Sequence, residues 1–413
     1  MKVVLSGGWG YGNLGDDAIL VSTINIIREI YGAECKVVVL TYDVYETKAN
    51  LTNLVNLEYI YIVKNVHRII VRNACSIRFN KFDSYEAKYL YRAKFWFRAV
   101  RLVKRVYYKL LARIRERFFS MRRSGFKYFE STPEIYGADL FVLAGGGYFN
   151  EGWLDKTDSV LLELEFFQGQ GIPIFTVGQS IGPFSKDGKA RTVYSLLRNV
   201  TKLSVRDRRS FDELTAEGIR ATIIPDIVLS EKVSNYAKSN TLVIVVGSGG
   251  LDQNLEATLL EVAKMVEKDY GFKTKIIVSR RWADDCFAAY RLAEAFKSEN
   301  VGLDLVIPRN FQELQDEIGV CRVMISQNLH GLILGWRASI PGISLNSSRK
   351  FESFMTQTGQ QNRIIRKGDT REKIFKCVSE VVTESYDVGF ESHVEIFTQG
   401  VKKNLTAFFS NHE

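Results

Sequence analysis

The sequence is short of several things that would narrow its function at once. Its five cysteines (Cys35, Cys75, Cys286, Cys321 and Cys377) are odd in number, scattered and without CxxC spacing. That leaves out the usual zinc patterns and any disulfide framework, and it fits a reducing compartment. Only six prolines occur in 413 residues, which argues against long disordered linkers. No stretch approaches the ~20 apolar residues needed to span a bilayer. The apolar run Val3–Leu5 reaches glycine almost at once, so it reads as a first strand and not as a signal peptide; a cytoplasmic protein is expected. Histidine is scarce too: His67, His330, His393 and His412. No two stand three or four residues apart and no acidic cluster has ligand spacing, so neither a metal nor another cofactor is expected.

What is present describes an enzyme-sized globular chain. Hydrophobic residues make up 46% and charged residues 25%, and the length exceeds what one core holds, so two domains are expected. The formal charge of +9 is uneven. Between Lys64 and Lys127 stand 19 Lys and Arg against three acids, a local +16, which leaves the rest of the chain at −7.

Short β-branched runs alternate with longer helical stretches. Lys2–Ser6, Lys36–Thr41, Leu140–Ala144, Ile174–Val177 and Leu203–Val205 read as strands. The helical stretches between them include residues from about Asp16 to Tyr31, Ser159–Gln170 and Lys189–Asn199. After a polar connector near Pro225–Ser239 the pattern restarts at Thr241–Val246. The fold class is therefore α/β: two doubly wound, Rossmann-like domains facing a cleft at their strand carboxyl ends. The expected division is 1–235, with a basic helical insert at about 64–130, then 236–390 and a helical tail at 391–413.

Glycine loops mark the strand ends. Ser6 to Ala18 follows the first strand and opens the first helix, offering close backbone approach and unpaired N–H groups. Gly12, Asn13, Gly15 and Asp16 are its candidate binding residues, although Asp16 and Asp17 can equally cap the helix. Gly10 to Gly15 formally reads GxGxxG, and Asp43 is a poor match for the ribose acid of a dinucleotide fold. A second loop, with Gly146 and Gly147, and a third, with Gln179 and Ser180, end the next two strands. Ser248 and Gly249 end the first strand of the second half, where backbone N–H groups can hold phosphate.

The chain resembles the polysaccharide pyruvyl transferase family. The matching pieces are Gly12–Leu20, Asp139–Gly147, Gly178–Pro183, Val205–Ser210, Pro225-Asp226, Leu329–Gly331, Ile340-Pro341 and Asn346–Phe351, in family order over roughly residues 1–355. The resemblance implies a two-domain fold of the glycosyltransferase B type. It also implies transfer of pyruvate from phosphoenolpyruvate to a sugar of a cell-surface polysaccharide precursor as a ketal, with release of phosphate. One departure stands out: the family's Arg-Leu-His-Gly is Asn328-Leu329-His330-Gly331 here. Either another cation substitutes for the missing Arg or the donor pose or substrate differs.

Such chemistry needs cations for two anionic groups and at least one acid/base. His330 is the acid/base candidate, with a capping or core histidine as the alternative. Arg206 can clamp a carboxylate or phosphate, or simply pair with Asp207 or Asp226. Arg280 and Arg281 can replace the cation lost at Asn328, or be a solvated pair; Lys350 can reach donor phosphate, or be a surface lysine.

Tyr85–Phe119 reads as a helix with one basic and one aromatic-rich apolar face, the composition of a helix lying on an anionic membrane. A lipid-linked acceptor would suit that, whereas an ordinary surface helix is the plain alternative, and no nucleic-acid motif accompanies the charge. Two other functions compete. One is a nucleotide-sugar glycosyltransferase, for which Glu372 and Glu380 offer the E-x7-E spacing. The other is a non-catalytic relative that binds a glycan precursor. Neither the sugar nor the oligomeric state is legible.

Overall fold

The computed structural model describes residues 1–52, 60–64, 129, 132–150, 154–184, 188–231, 236–247 and 251–410. The expected basic insert and the Ser248-Gly249 turn lie outside them.

The first sheet is built from β1 (Lys2–Ser6), β2 (Lys36–Thr41), β3 (Ile60–Lys64), β4 (Leu140–Leu143), β5 (Gly146–Phe149), β6 (Ile174–Ile181), β7 (Lys202–Val205) and β8 (Thr222–Ile223). Its order is β3-β2-β1-β4-β6-β7-β8, with β5 beside β6 and every pairing parallel. The second sheet holds β9 (Thr241–Val246), β10 (Lys273–Val278), β11 (Leu303–Val306), β12 (Val323–Ser326) and β13 (Gly342–Ser344). It runs β11-β10-β9-β12-β13, again parallel. Central strands such as β9 are unbroken apolar runs because helices cover both faces.

The first half carries helices α1 (Leu14–Tyr31), α2 (Val44–Leu51), α3 (Leu154–Gly169), α4 (Gly188–Arg198) and α5 (Arg208–Ala216). The second carries α6 (Gln253–Tyr270), α7 (Ala283–Ser298), α8 (Phe311–Gly319), α9 (Leu329–Arg337), α10 (Arg349–Gln357), α11 (Arg371–Glu384) and α12 (Val388–Ser410). Strand order reverses at β1/β4 and at β9/β12, and these switch points face each other.

Two expected loops are strand instead. Gly146 and Gly147 open β5, and Gln179 and Ser180 belong to β6, which runs on to Ile181 through an irregular register after Thr176. The reason is steric. A Cβ on Gly145 would meet the Gly178 carbonyl at 3.1 Å, so bare backbone lets the sheet continue where side chains would part it.

The two halves share one apolar core. Leu14 and Ala18 of α1 pack with Leu314, Ile318, Leu329 and Leu332 of α8 and α9, around the short turn Ile227–Leu229. Helix α12 returns to the first half, where the Tyr31 and Lys202 side chains donate to the Phe409 and Phe408 carbonyls at 2.9 and 2.6 Å. The four described cysteines are buried and unpaired. Among the described residues, no helix is long and apolar enough to cross a membrane.

Candidate functional site

The glycine loop after β1 is bonded directly to the loop after β10. Leu14 N–H donates to the Ser279 carbonyl (3.2 Å), Arg281 N–H to the Gly12 carbonyl (2.8 Å), and Trp282 Nε1 to the Tyr11 carbonyl (3.1 Å). Asn13 and Arg280 face each other as an antiparallel bridge. The loop turns this way because Gly12 adopts φ +86°, a conformation side chains resist. Its companion contact is an ion pair between Arg281 and Glu46. Arg281 is therefore an inter-domain tie, not the replacement cation the sequence suggested.

On this framework the amino ends of α1, α9 and α10 converge. His330, second in α9, stands over Gly15, whose missing side chain makes room for the ring. Its Nε2 is buried without a hydrogen-bond partner. Burial pushes the imidazole below its ordinary value; Asp16 and Asp226 pull it up, while Arg206 and Lys350 press it further down. Asn328 caps α9, accepting from Gly331 N–H at 3.1 Å. A short polar side chain at this cap takes the place of the family's Arg, and the cations beside it come from elsewhere.

Arg206 follows β7. It pairs with Asp226 through Nη1 (2.7 Å) and donates from Nε to the Ser180 hydroxyl (2.8 Å), both charges being buried. Gln357 of α10 holds the Arg206 carbonyl at 2.8 Å. The predicted pairing with Asp226 is thus present, and it fixes the guanidinium with its Nη2 near Gly147. Asp207 caps α5.

Lys350, second in α10, is an exposed residue. Crowding by protein, then the charges of Arg206 and Arg280, pushes its ammonium down to about 8. A small pocket, open to solvent, is lined by Arg206, Asp226, Leu329, Lys350, Phe354 and Gln357 among others. Arg280 reaches Lys350 electrostatically but is itself held by both oxygens of Asp285 (2.7 and 3.1 Å) and stacked on Trp282.

Other candidates take structural places. Gln179 donates to the Leu143 and Ala144 carbonyls (3.0 and 2.9 Å). Asp43, offered as a ribose acid, caps α2. Glu372 and Glu380 are exposed on α11, which packs on the second core away from these residues. Tyr11 was not foreseen: its hydroxyl donates to Asp16 from within the glycine loop, where an aromatic gives no pattern to read. Among the described residues no cluster of His, Cys, Asp or Glu is arranged to hold a metal.

The polysaccharide pyruvyl transferase family model matches residues 13–349. The chain belongs to that family. In this family member the matched span starts at Asn13 and ends at Arg349, enclosing the glycine loop, Arg206 and His330. No curated protein matches in sequence. Solved structures are similar in fold alone. The UDP-GlcNAc 2-epimerase of Neisseria meningitidis bound to UDP-GlcNAc shares 12% identity at TM-score 0.57, covering 99% of each chain. That of Methanocaldococcus jannaschii, in complex with UDP-GlcNAc and UDP, shares 13% at 0.53, covering 98% of this chain and 100% of its own. The enzyme of Rickettsia bellii shares 12% at 0.53, covering 99% and 96%. The pyruvyl transferase family member thus has the two-domain glycosyltransferase B fold.

Proposed function

We propose that this transferase moves the pyruvyl group of phosphoenolpyruvate onto a sugar of a cell-surface polysaccharide precursor as a ketal, releasing phosphate. One observation carries the reading: the His330 Nε2 is buried without a partner, and the charges of Arg206 and Lys350, which both line the adjoining inter-domain pocket, act on that ring. The donor has one carboxylate and one phosphate, and two cations plus the amino ends of α9 and α10 suit that pair of anions.

His330 is the proton donor to the methylene carbon. Its lowered value leaves the free imidazole neutral, and a bound trianion would raise it, so that it is charged when the donor is in place. Protonation at C3 opens C2 to a sugar hydroxyl; a second hydroxyl of the same sugar then displaces phosphate and closes the ketal. Ser180, Asp226 and Gln357 hold Arg206 in place for this step.

The test is incubation with phosphoenolpyruvate and a synthetic or lipid-linked glycan, following phosphate release and acceptor mass. Phosphate release with a ketal mass gain is expected. Turnover with a nucleotide-sugar alone would overturn the proposal in favour of glycosyl transfer, and turnover with neither would favour a binding role.

A further inference from the structure

The sequence places two acids in succession, Asp16 and Asp17, and the fold sends them to different sides. Asp17 is fully buried, and its Oδ1 accepts from Gly10 N–H at 3.1 Å. Asp16 is half-buried, and its Oδ2 accepts from both the Tyr11 hydroxyl and Asn13 Nδ2 (2.8 Å). Two donors on one oxygen fix the carboxylate, while Oδ1 has no donor among the described residues.

The other acids around the cleft are already committed. Asp226 is paired with Arg206, Glu46 with Arg281 and Asp285 with Arg280, and Glu352 pairs with Arg209 and Arg366. Asp207 is spent on Ser210 N–H and on the hydroxyls of Ser180 and Ser210. No ion pair involves Asp16 among the described residues. It is also adjacent to Gly15, whose backbone lies beneath the His330 ring. Of the titratable and charged groups, those that face it are Tyr11 from its own loop, His330 from α9 and Lys350 from α10; Asp17 neighbours it along the chain.

Resting on the pyruvyl-transfer reading, we propose that Asp16 is the general base that takes the proton from the attacking sugar hydroxyl. The hydroxyl oxygen bonds to C2 of the donor as its proton passes to Asp16, and the C2–C3 π pair takes a proton from the His330 imidazolium. The acyclic phosphate ketal that results loses phosphate when the second hydroxyl bonds to C2. That hydroxyl's proton restores the imidazolium, and the proton on Asp16 leaves with the phosphate. Every proton is then accounted for, and the carboxylate and imidazole work at opposite ends of one bond-forming step. Tyr11 suits its part: burial first, then the Asp16 charge, holds its phenol well above its ordinary value, so it remains a donor.

The experiment compares wild type and Asp16→Asn with phosphoenolpyruvate and a synthetic glycan at saturation. General-base loss predicts a kcat lower by about 10²–10³-fold, with phosphoenolpyruvate affinity, read by tryptophan fluorescence, within about threefold. A kcat within about threefold of wild type, with only the acceptor KM raised, would overturn the assignment. Tyr11→Phe serves if Asp16→Asn fails to fold. With one of the two donors that fix the carboxylate gone, kcat should fall by about tenfold or more while phosphoenolpyruvate affinity stays; an unchanged kcat overturns the proposal. If the wild-type protein makes no ketal from phosphoenolpyruvate, it is the reaction itself that was misread, and the role of Asp16 falls with it.

Discussion

The backbone of Gly15 lies directly beneath the imidazole of His330, so close that a Cβ there would sit 2.2 Å from the ring Cγ and Nδ1. The amino ends of α1 and α9, one from each domain, meet at this point with nothing between them. Gly15→Ala should therefore push the ring out of place. We expect turnover to fall at least about 100-fold, with a stability cost of about 1–3 kcal/mol from overpacking. Steady-state kinetics beside thermal unfolding would show it; full activity in the alanine variant would remove the imidazole from the chemistry.

His330→Ala should abolish turnover and leave a folded protein. It should also change how stability depends on pH. The imidazole is held below its ordinary value by burial, so between that lowered value and the unfolded one, about 6.5, the unfolded chain binds more protons. Stability then rises with pH across this window and is complete above it. Denaturant titrations from pH 5 to 8 should show a shallower rise in the alanine variant, and identical slopes would contradict the burial argument.

Although Lys350 is exposed, protein around its ammonium and then the charges of Arg206 and Arg280 push it down to about 8, so an anion bound by it should be sensitive to alkali. An anion favours the charged form, so affinity is complete below that value and is lost as pH rises through it. Calorimetry with phosphoenolpyruvate should show weaker binding at pH 9 than at pH 7, with proton uptake near pH 8. Lys350→Met should flatten the dependence. Affinity that is level from pH 7 to 9 in the wild type would count against Lys350 as a donor ligand.

Asp226→Ala leaves the Arg206 guanidinium buried without its counter-charge. Removing one partner of such a pair costs about 3–5 kcal/mol, so the melting temperature should fall by several degrees. A stability unchanged within error would mean that water reaches the guanidinium freely.

Much of this was legible in the residues because strands such as β1, β4 and β9 are compact apolar runs with glycine within two residues of their carboxyl ends. Thr241–Val246 and Lys273–Val278 fall where the β-branched runs predict them. The misreadings share one cause. Gly146, Gly147, Gln179 and Ser180 look like loop residues to a local pattern, yet paired parallel backbones hold them in strand, a non-local effect. The fate of Arg281 was equally hidden, because its partner Glu46 is 235 residues away. Asn328 illustrates the opposite case: a missing cation read as a loss is a helix cap in the fold. Asp16 and Asp17 are chemically identical neighbours, and only the three-dimensional path of Gly10 to Gly15 separates one as internal from the other as facing the cleft.

Helix α12 crosses back from the second sheet to lie on α1 and the Ile227–Ser230 turn. The second lobe is consequently tied to the first at both of its ends, where the chain enters it before β9 and where α12 leaves it. A body anchored at both ends of its chain and packed through a shared core is restrained from sliding or twisting away, which keeps the amino ends of α1 and α9 in register.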